Sequence, residues 1–284
     1  MIADPILILA WLLLAHLVAD FVLQTDGIAT RKFGDGPDAW RALGVHVAVV
    51  AALLVPVVLS FGIQGFLYAT VTAIGHFAID RAKIVLTRRA EPVTAGEDAT
   101  AEEAATGPTF DRQWTAVPGA LFVLDQLAHL ALLAIAWALL LSSAVPLGFA
   151  AEAGRALAGT DPAGFHRTIL GGVVLASLLI VNVRAASLLV ATLVRPPRGP
   201  ADATRPSAAK VGAVIGVLER LLICALVLAG AVASIGLVIA AKTLARFKQL
   251  DDREFAEYYL LGTLASVTVA VSTSLLAQAV LAAG

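Results

Sequence analysis

The chain reads as an all-α polytopic transmembrane bundle, and three observations point there. Of its 284 residues 59% are hydrophobic and only 14% are charged, roughly half the charge that a soluble surface carries. The mean hydropathy is +0.88. The apolar stretches run to about 20 residues or more without alternation, which as helix crosses a hydrocarbon core of about 30 Å and excludes barrel strands.

The first span is expected near 5–24. Met1-Ile-Ala-Asp-Pro5 before it has no basic segment, and no small-residue cleavage site follows, so this span is read as retained. Spans near 42–61, 63–86 and 115–141 complete a four-span N-terminal bundle over 1–141. Residues 142–167 contain Pro146, an amphipathic-looking piece near 148–158 and Asp161-Pro162, and are expected to form a cap on the outside. The C-terminal bundle, 168–284, has spans expected near 168–194, 211–229, 231–247 and 258–282.

The stretch 211–247 decides the count. As one helix it would reach about 55 Å, nearly twice the hydrocarbon thickness. Gly230 and Gly236 bracket a weakly polar Ala-Val-Ala-Ser at which a hairpin can turn. Two passes give about eight spans and one pass gives seven. The excess of Lys and Arg on inside loops favours eight. With both termini outside, every Lys and Arg except Arg155 and Arg167 falls inside, whereas a single pass would put Lys242, Arg246, Lys248 and Arg253 outside. Residues 87–113 and the proline-rich 195–210 have no apolar period and read as flexible inside connections.

Cys224 is the only cysteine, so an internal disulfide and an all-cysteine metal site are excluded. No zinc-finger spacing, Walker loop or glycine-rich dinucleotide fingerprint is present, and nothing supports nucleic-acid binding.

Chemistry is concentrated in the N-terminal spans. His16, Asp20 and Gln24 are spaced by four, which on a helix makes one polar stripe. His76/Asp80 and Asp125/His129 repeat the pairing, and His46 sits in a further span. At 1.5 Å per residue, most of these groups lie roughly 6–15 Å in from the cytoplasmic ends of their helices, with His129 deeper. Four helices therefore bring polar groups to one layer. A charge at the hydrocarbon centre costs roughly 2.5–3.5 kcal/mol on insertion scales, so the carboxylates there need partners.

Imidazole and carboxylate together are the usual ligands of zinc, manganese or iron(II). His16, His46, His76, Asp80, Asp125 and His129 are the candidate ligands, with Asp20, Asp80 and Asp125 as candidate catalytic carboxylates for metal-assisted hydrolysis. Gln24 and Gln126 suit orienting or substrate-contacting roles. Two other readings compete: a proton- or ion-coupled transporter using the same groups, and a scaffold in which each His/Asp pair only ties helices together. His166 reads as solvated. Arg81 and Lys83 are expected to snorkel to headgroups, with binding of an anionic lipid as the alternative. Trp11, Trp40, Trp114 and Trp137 read as belt anchors near span ends or on lipid faces. The mixed-charge run Lys242 to Tyr259, with Arg246 inside it, reads as a turn with helix-capping acids. Otherwise it closes over the polar centre with Glu219 and Arg220 as neighbours.

Together, His16-Leu-Val-Ala-Asp20-Phe-Val-Leu-Gln24, His46, His76-Phe-Ala-Ile-Asp80, Asp125-Gln126-Leu-Ala-His129, Gly216-Val-Leu-Glu219-Arg220 and the run from Ala241-Lys242 to Tyr259 resemble the bacterial polytopic membrane family catalogued as domain of unknown function 3307. The resemblance implies a multi-pass protein of the bacterial inner membrane and no particular activity. A looser likeness to membrane-bound metal-dependent hydrolases, which also scatter His and Asp over their spans, is analogy only. The expectation is thus a His/Asp centre near the cytoplasmic side, holding zinc or manganese and hydrolysing a lipid-linked or amphipathic substrate.

Overall fold

In a computed structural model, residues 4–90, 117–194 and 206–284 are described, and among them all regular structure is helical. The elements are α1 (Pro5–Leu17), continued by a π turn (Val18–Leu23), α2 (Asp26–Lys32), α3 (Pro37–Leu53), α4 (Val55–Phe61), α5 (Ile63–Ala90), α6 (Val117–Leu140) and α7 (Gly148–Ala158). Then come α8 (Pro162–Ile180), a second π turn (Val181–Ala185), α9 (Ala186–Leu193), α10 (Pro206–Leu228), α11 (Ile235–Ala245) and α12 (Arg253–Ala283).

Among the described residues six helical stretches are long and apolar enough to cross a membrane: Pro5–Leu23, Pro37–Phe61, Val117–Leu140, Pro162–Leu193, Val211–Leu228 and Arg253–Ala283. Of the other two expected spans, α5 has the length, at 28 residues, but carries His76, Asp80, Arg81 and Lys83 in its middle. The second, Val232–Ala245, is apolar but short. A hairpin does form between α10 and α11. Gly230 turns the chain with φ +74°, a value that favours glycine, and Lys242 Nζ then returns to 2.6 Å from Glu219 Oε2. Gly236, expected at the turn, lies inside α11.

Caps set several boundaries. Asp4 Oδ1 accepts from the Ile6 amide at 2.7 Å, and Asp161 Oδ1 accepts from the Gly164 amide at 2.8 Å. Asp252 Oδ1 accepts from the amides of Glu254 and Phe255 at 2.9 and 3.2 Å, the capping expected before the last span. Helix α7 stands where the amphipathic piece was read. The expected loop at 87–113 begins later, because α5 continues to Ala90, and the one at 195–210 ends at Pro206, where α10 starts. The rest of both loops, and Trp114, lie outside the described residues.

The chain divides into two compact units. The first comprises 1–86, 124–181 and 277–284, the second 87–123 and 182–276. The core of the first is built by Leu12, Val50, Leu54, Phe61, Tyr68 and Leu133 from α1, α3, α4, α5 and α6. Trp137 packs against this core rather than standing at the surface, while Trp11 and Trp40 are exposed as expected of anchors. At Gly65 the backbones of α4 and α5 meet so closely that an added Cβ would overlap the Val57 carbonyl and come within 2.9 Å of Val58 Cα.

That approach predicts that Gly65→Ala lowers unfolding stability in detergent by roughly 1–3 kcal/mol. Gly44→Ala, whose Cβ meets nothing within 4 Å, should be neutral or mildly stabilising. Equal stability of the two variants would refute the close packing.

Candidate metal centre

The centre lies in the first unit. His16 stands on the last turn of α1, buried, and the helix then widens into the π turn that holds Asp20. A π turn takes in one residue more than the α spacing allows, so the expected three-residue stripe is broken. Asp20 Oδ1 remains 3.8 Å from His16 Nδ1. Gln24 turns elsewhere, its Oε1 accepting from Lys32 Nζ at 2.8 Å.

His46 on α3 and His76 on α5, each 1% exposed, bring their Nε2 atoms to 2.9 Å from one another. Each Nε2 is also 3.4 Å from Asp20 Oδ1. His129 on α6 is fixed differently. Its Nδ1 lies 2.9 Å from the main-chain oxygen of Asp125. A carbonyl only accepts, so Nδ1 carries the proton and Nε2 is left with its lone pair. That Nε2 is buried without a hydrogen-bond partner, as are Asp20 Oδ1 and Asp125 Oδ1. The His129 ring is 4.2 Å from that of His76 and 5.0 Å from that of His16, centroid to centroid.

Three overlapping sets place their donor atoms within 4.8 Å of one another: His16/Asp20/His129, Asp20/His46/His76 and His76/Asp80/His129. For the second set the three separations define a centre about 1.9 Å from each atom in their plane, just inside zinc–nitrogen bonds of about 2.0–2.1 Å. An ion slightly out of that plane satisfies all three. His16, His76 and His129 also line a cavity of about 10 Å³ whose other walls include Leu12, Leu54 and Leu132. That is room for about one water.

The carboxylates are not equivalent. Lys32 Nζ lies 2.9 Å from Asp80 Oδ2, and Lys83 Nζ lies 2.6 Å from Asp125 Oδ2. Asp80 is also 3.5 Å from His46 Nε2, and Asp125 accepts from Gln126 Nε2 at 3.0 Å. Gln126 in turn places Oε1 3.4 Å from His16 Nε2. With both lysines spent on Asp80 and Asp125, Asp20 faces only imidazoles among the described residues. Two neutral ion pairs surround one unmatched negative charge.

Several sequence expectations change here. Lys83 does not snorkel outward but turns in to Asp125. Arg81 stacks over Trp40, its Cζ 4.6 Å from the ring. His166 is paired rather than solvated, with Nε2 3.0 Å from Asp4 Oδ2. Lys32, read only as an inside-loop charge, is 4% exposed. The signal for it was arithmetic, since three carboxylates in one layer leave Lys83 badly outnumbered. Glu219, Arg220 and Lys242 belong to the second unit, where Lys242 pairs with Glu219 at 2.6 Å. Arg246 is half-buried and bonds locally, donating to Gln249 Oε1 at 3.1 Å.

Fold and centre together define a helical protein of membrane-spanning composition with a buried cluster of histidines and aspartates. The chain belongs to the family described as protein of unknown function DUF3307, whose model matches residues 8–153. That stretch holds all of the cluster and both lysines. No curated protein and no solved structure matches the chain.

The pairing predicts that Lys32→Met, which strands the Asp80 charge, costs about 3–5 kcal/mol of stability. Lys32→Met combined with Asp80→Asn should recover most of that loss. Additive losses in this double-mutant cycle, read by unfolding in detergent, would show that the pair is not coupled.

Proposed function

We propose that the protein holds one divalent metal ion, zinc in preference to manganese, at Asp20, His46 and His76, with His16 and His129 beside it. It uses this centre to hydrolyse a lipid-linked or amphipathic substrate. The observation that carries the reading is the unmatched Asp20 carboxylate among four imidazoles, since a buried negative charge calls for a cation. Nitrogen-rich donors suit zinc better than manganese. Charge also sets the number of ions. With Asp80 and Asp125 already paired to lysines, one divalent ion would exceed the Asp20 charge by one, whereas a second would leave an excess of three in an apolar bundle.

A bound ion of this kind supplies a water whose pKa falls towards about 7. The chain's own groups then divide the work. Asp125 keeps Oδ1 unpaired beside His129 and is the group free to take a proton. Lys32 and Lys83 hold Asp80 and Asp125 in place, and Gln126 orients His16. Loop charges support a centre opening to the cytoplasmic side of a bacterial inner membrane, with both termini outside.

A second reading, proton- or ion-coupled transport, draws on the small cavity, which has room for about one water. In that reading the cation on Asp20 is a proton shared with His46 or His76.

Elemental analysis of protein purified from metal-replete cells separates the two. Hydrolysis predicts close to one zinc per chain, at least a tenfold loss of metal in His76→Ala and Asp20→Asn, and turnover of an amphipathic ester or phosphodiester probe in proteoliposomes. Metal-free wild type would sink it and leave transport, for which Asp20→Asn should flatten the pH dependence of uptake into vesicles.

A further inference from the structure

The second unit contains the opposite imbalance. Arg220, on α10, is 3% exposed. Its guanidinium donates from Nε to the main-chain oxygen of Asn182 at 2.7 Å, from Nη1 to Ser266 Oγ at 3.1 Å and from Nη2 to Ser187 Oγ at 2.5 Å. All three acceptors are neutral. The neighbouring carboxylate, Glu219, is committed to Lys242 at 2.6 Å. Among the described residues Arg220 therefore has no counter-charge within ion-pair distance, and three of its five N–H groups have acceptors.

The acceptors come from three directions. Asn182 lies in the π turn Val181–Ala185, where the widened turn offers a carbonyl to a side chain. Ser187 lies on α9 and Ser266 on α12. The fourth side is different. Gly216 stands one turn before Arg220 on the same helix, and a Cβ added there would lie 3.5 Å from Nη1. Glycine thus puts no side chain of its own against Nη1, although the guanidinium as a whole is buried. Arg220 lies near the middle of the candidate span Val211–Leu228, where an uncancelled charge is costly.

From the unmatched cation, its planar fork of donors and the glycine at 216 beside Nη1, we infer that Arg220 is the receiving group of a site for a singly charged oxyanion. A guanidinium binds such a group with two parallel hydrogen bonds, and the phosphate diester of a lipid headgroup and a free small oxyanion offer the same chemistry. The ligand restores neutrality in the second unit, as a cation does at Asp20 in the first. The site is independent of the metal centre and of its chemistry.

The test uses the delipidated full chain in a neutral detergent. Its unfolding midpoint, followed by tryptophan fluorescence, is measured against added sodium dihydrogen phosphate and sodium formate, with sodium gluconate as the bulky control at matched ionic strength. In parallel, native mass spectrometry counts phosphatidylglycerol retained against phosphatidylcholine. A saturable rise in midpoint with phosphate or formate assigns the free ion, and retention of one phosphatidylglycerol assigns the headgroup. Arg220→Gln should abolish either effect. Because that variant risks misfolding, Gly216→Val is the second arm: it keeps every donor, should fold with a midpoint near wild type, and should weaken binding at least tenfold. No stabilisation by either anion together with no retained anionic lipid in the wild type overturns the inference, as does a response left unchanged in Gly216→Val.

Discussion

Asp20 is the constraint on which the N-terminal unit turns. In an apolar bundle each buried charge must be answered within a few ångströms, and two of the three carboxylates are answered by lysines from neighbouring elements. Those assignments leave Asp20 to the histidines. They also explain the placement of α2, a helix of only seven residues. Its last residue, Lys32, must reach Asp80, and its N-cap follows directly on Gln24, which accepts from the same ammonium. The short helix is held by the charge it delivers more than by apolar surface.

The helical class and most span positions follow from composition and run length, because hydrocarbon thickness imposes both. The convergence of His16, His46, His76, Asp80, Asp125 and His129 was also legible, since similar depth on neighbouring helices, with only His129 deeper, leaves polar groups few other places to go. Three things were not. The inward turn of Lys83 and the burial of Lys32 depend on pairing, and a juxtamembrane lysine has the same sequence signature whether it snorkels or plugs a carboxylate. The change of register after Leu17 has no residue marker at all.

The two units treat buried charge by one physical rule with opposite signs. In the first, an unmatched carboxylate sits among imidazoles. In the second, an unmatched guanidinium sits among hydroxyls and a carbonyl. Hydroxyls and carbonyls satisfy N–H donors without cancelling charge, whereas imidazoles cancel charge only when they carry a proton or share a cation. The choice of neighbours thus separates a group that is merely solvated by the protein from one whose charge still has to be met.

Both π turns stand beside these charges, Val18–Leu23 holding Asp20 and Val181–Ala185 holding Asn182. A π turn is a helix with one residue too many, so residues on its two sides fall about 100° out of phase. Motif and site thereby become separable. Losing one residue between Asp20 and Gln24 would keep nearly every letter of the motif and the His16–Asp20 pair, yet turn Gln24 and the approach to α2 by about 100° relative to α1. Segment length, as much as residue identity, sets what this stretch can hold.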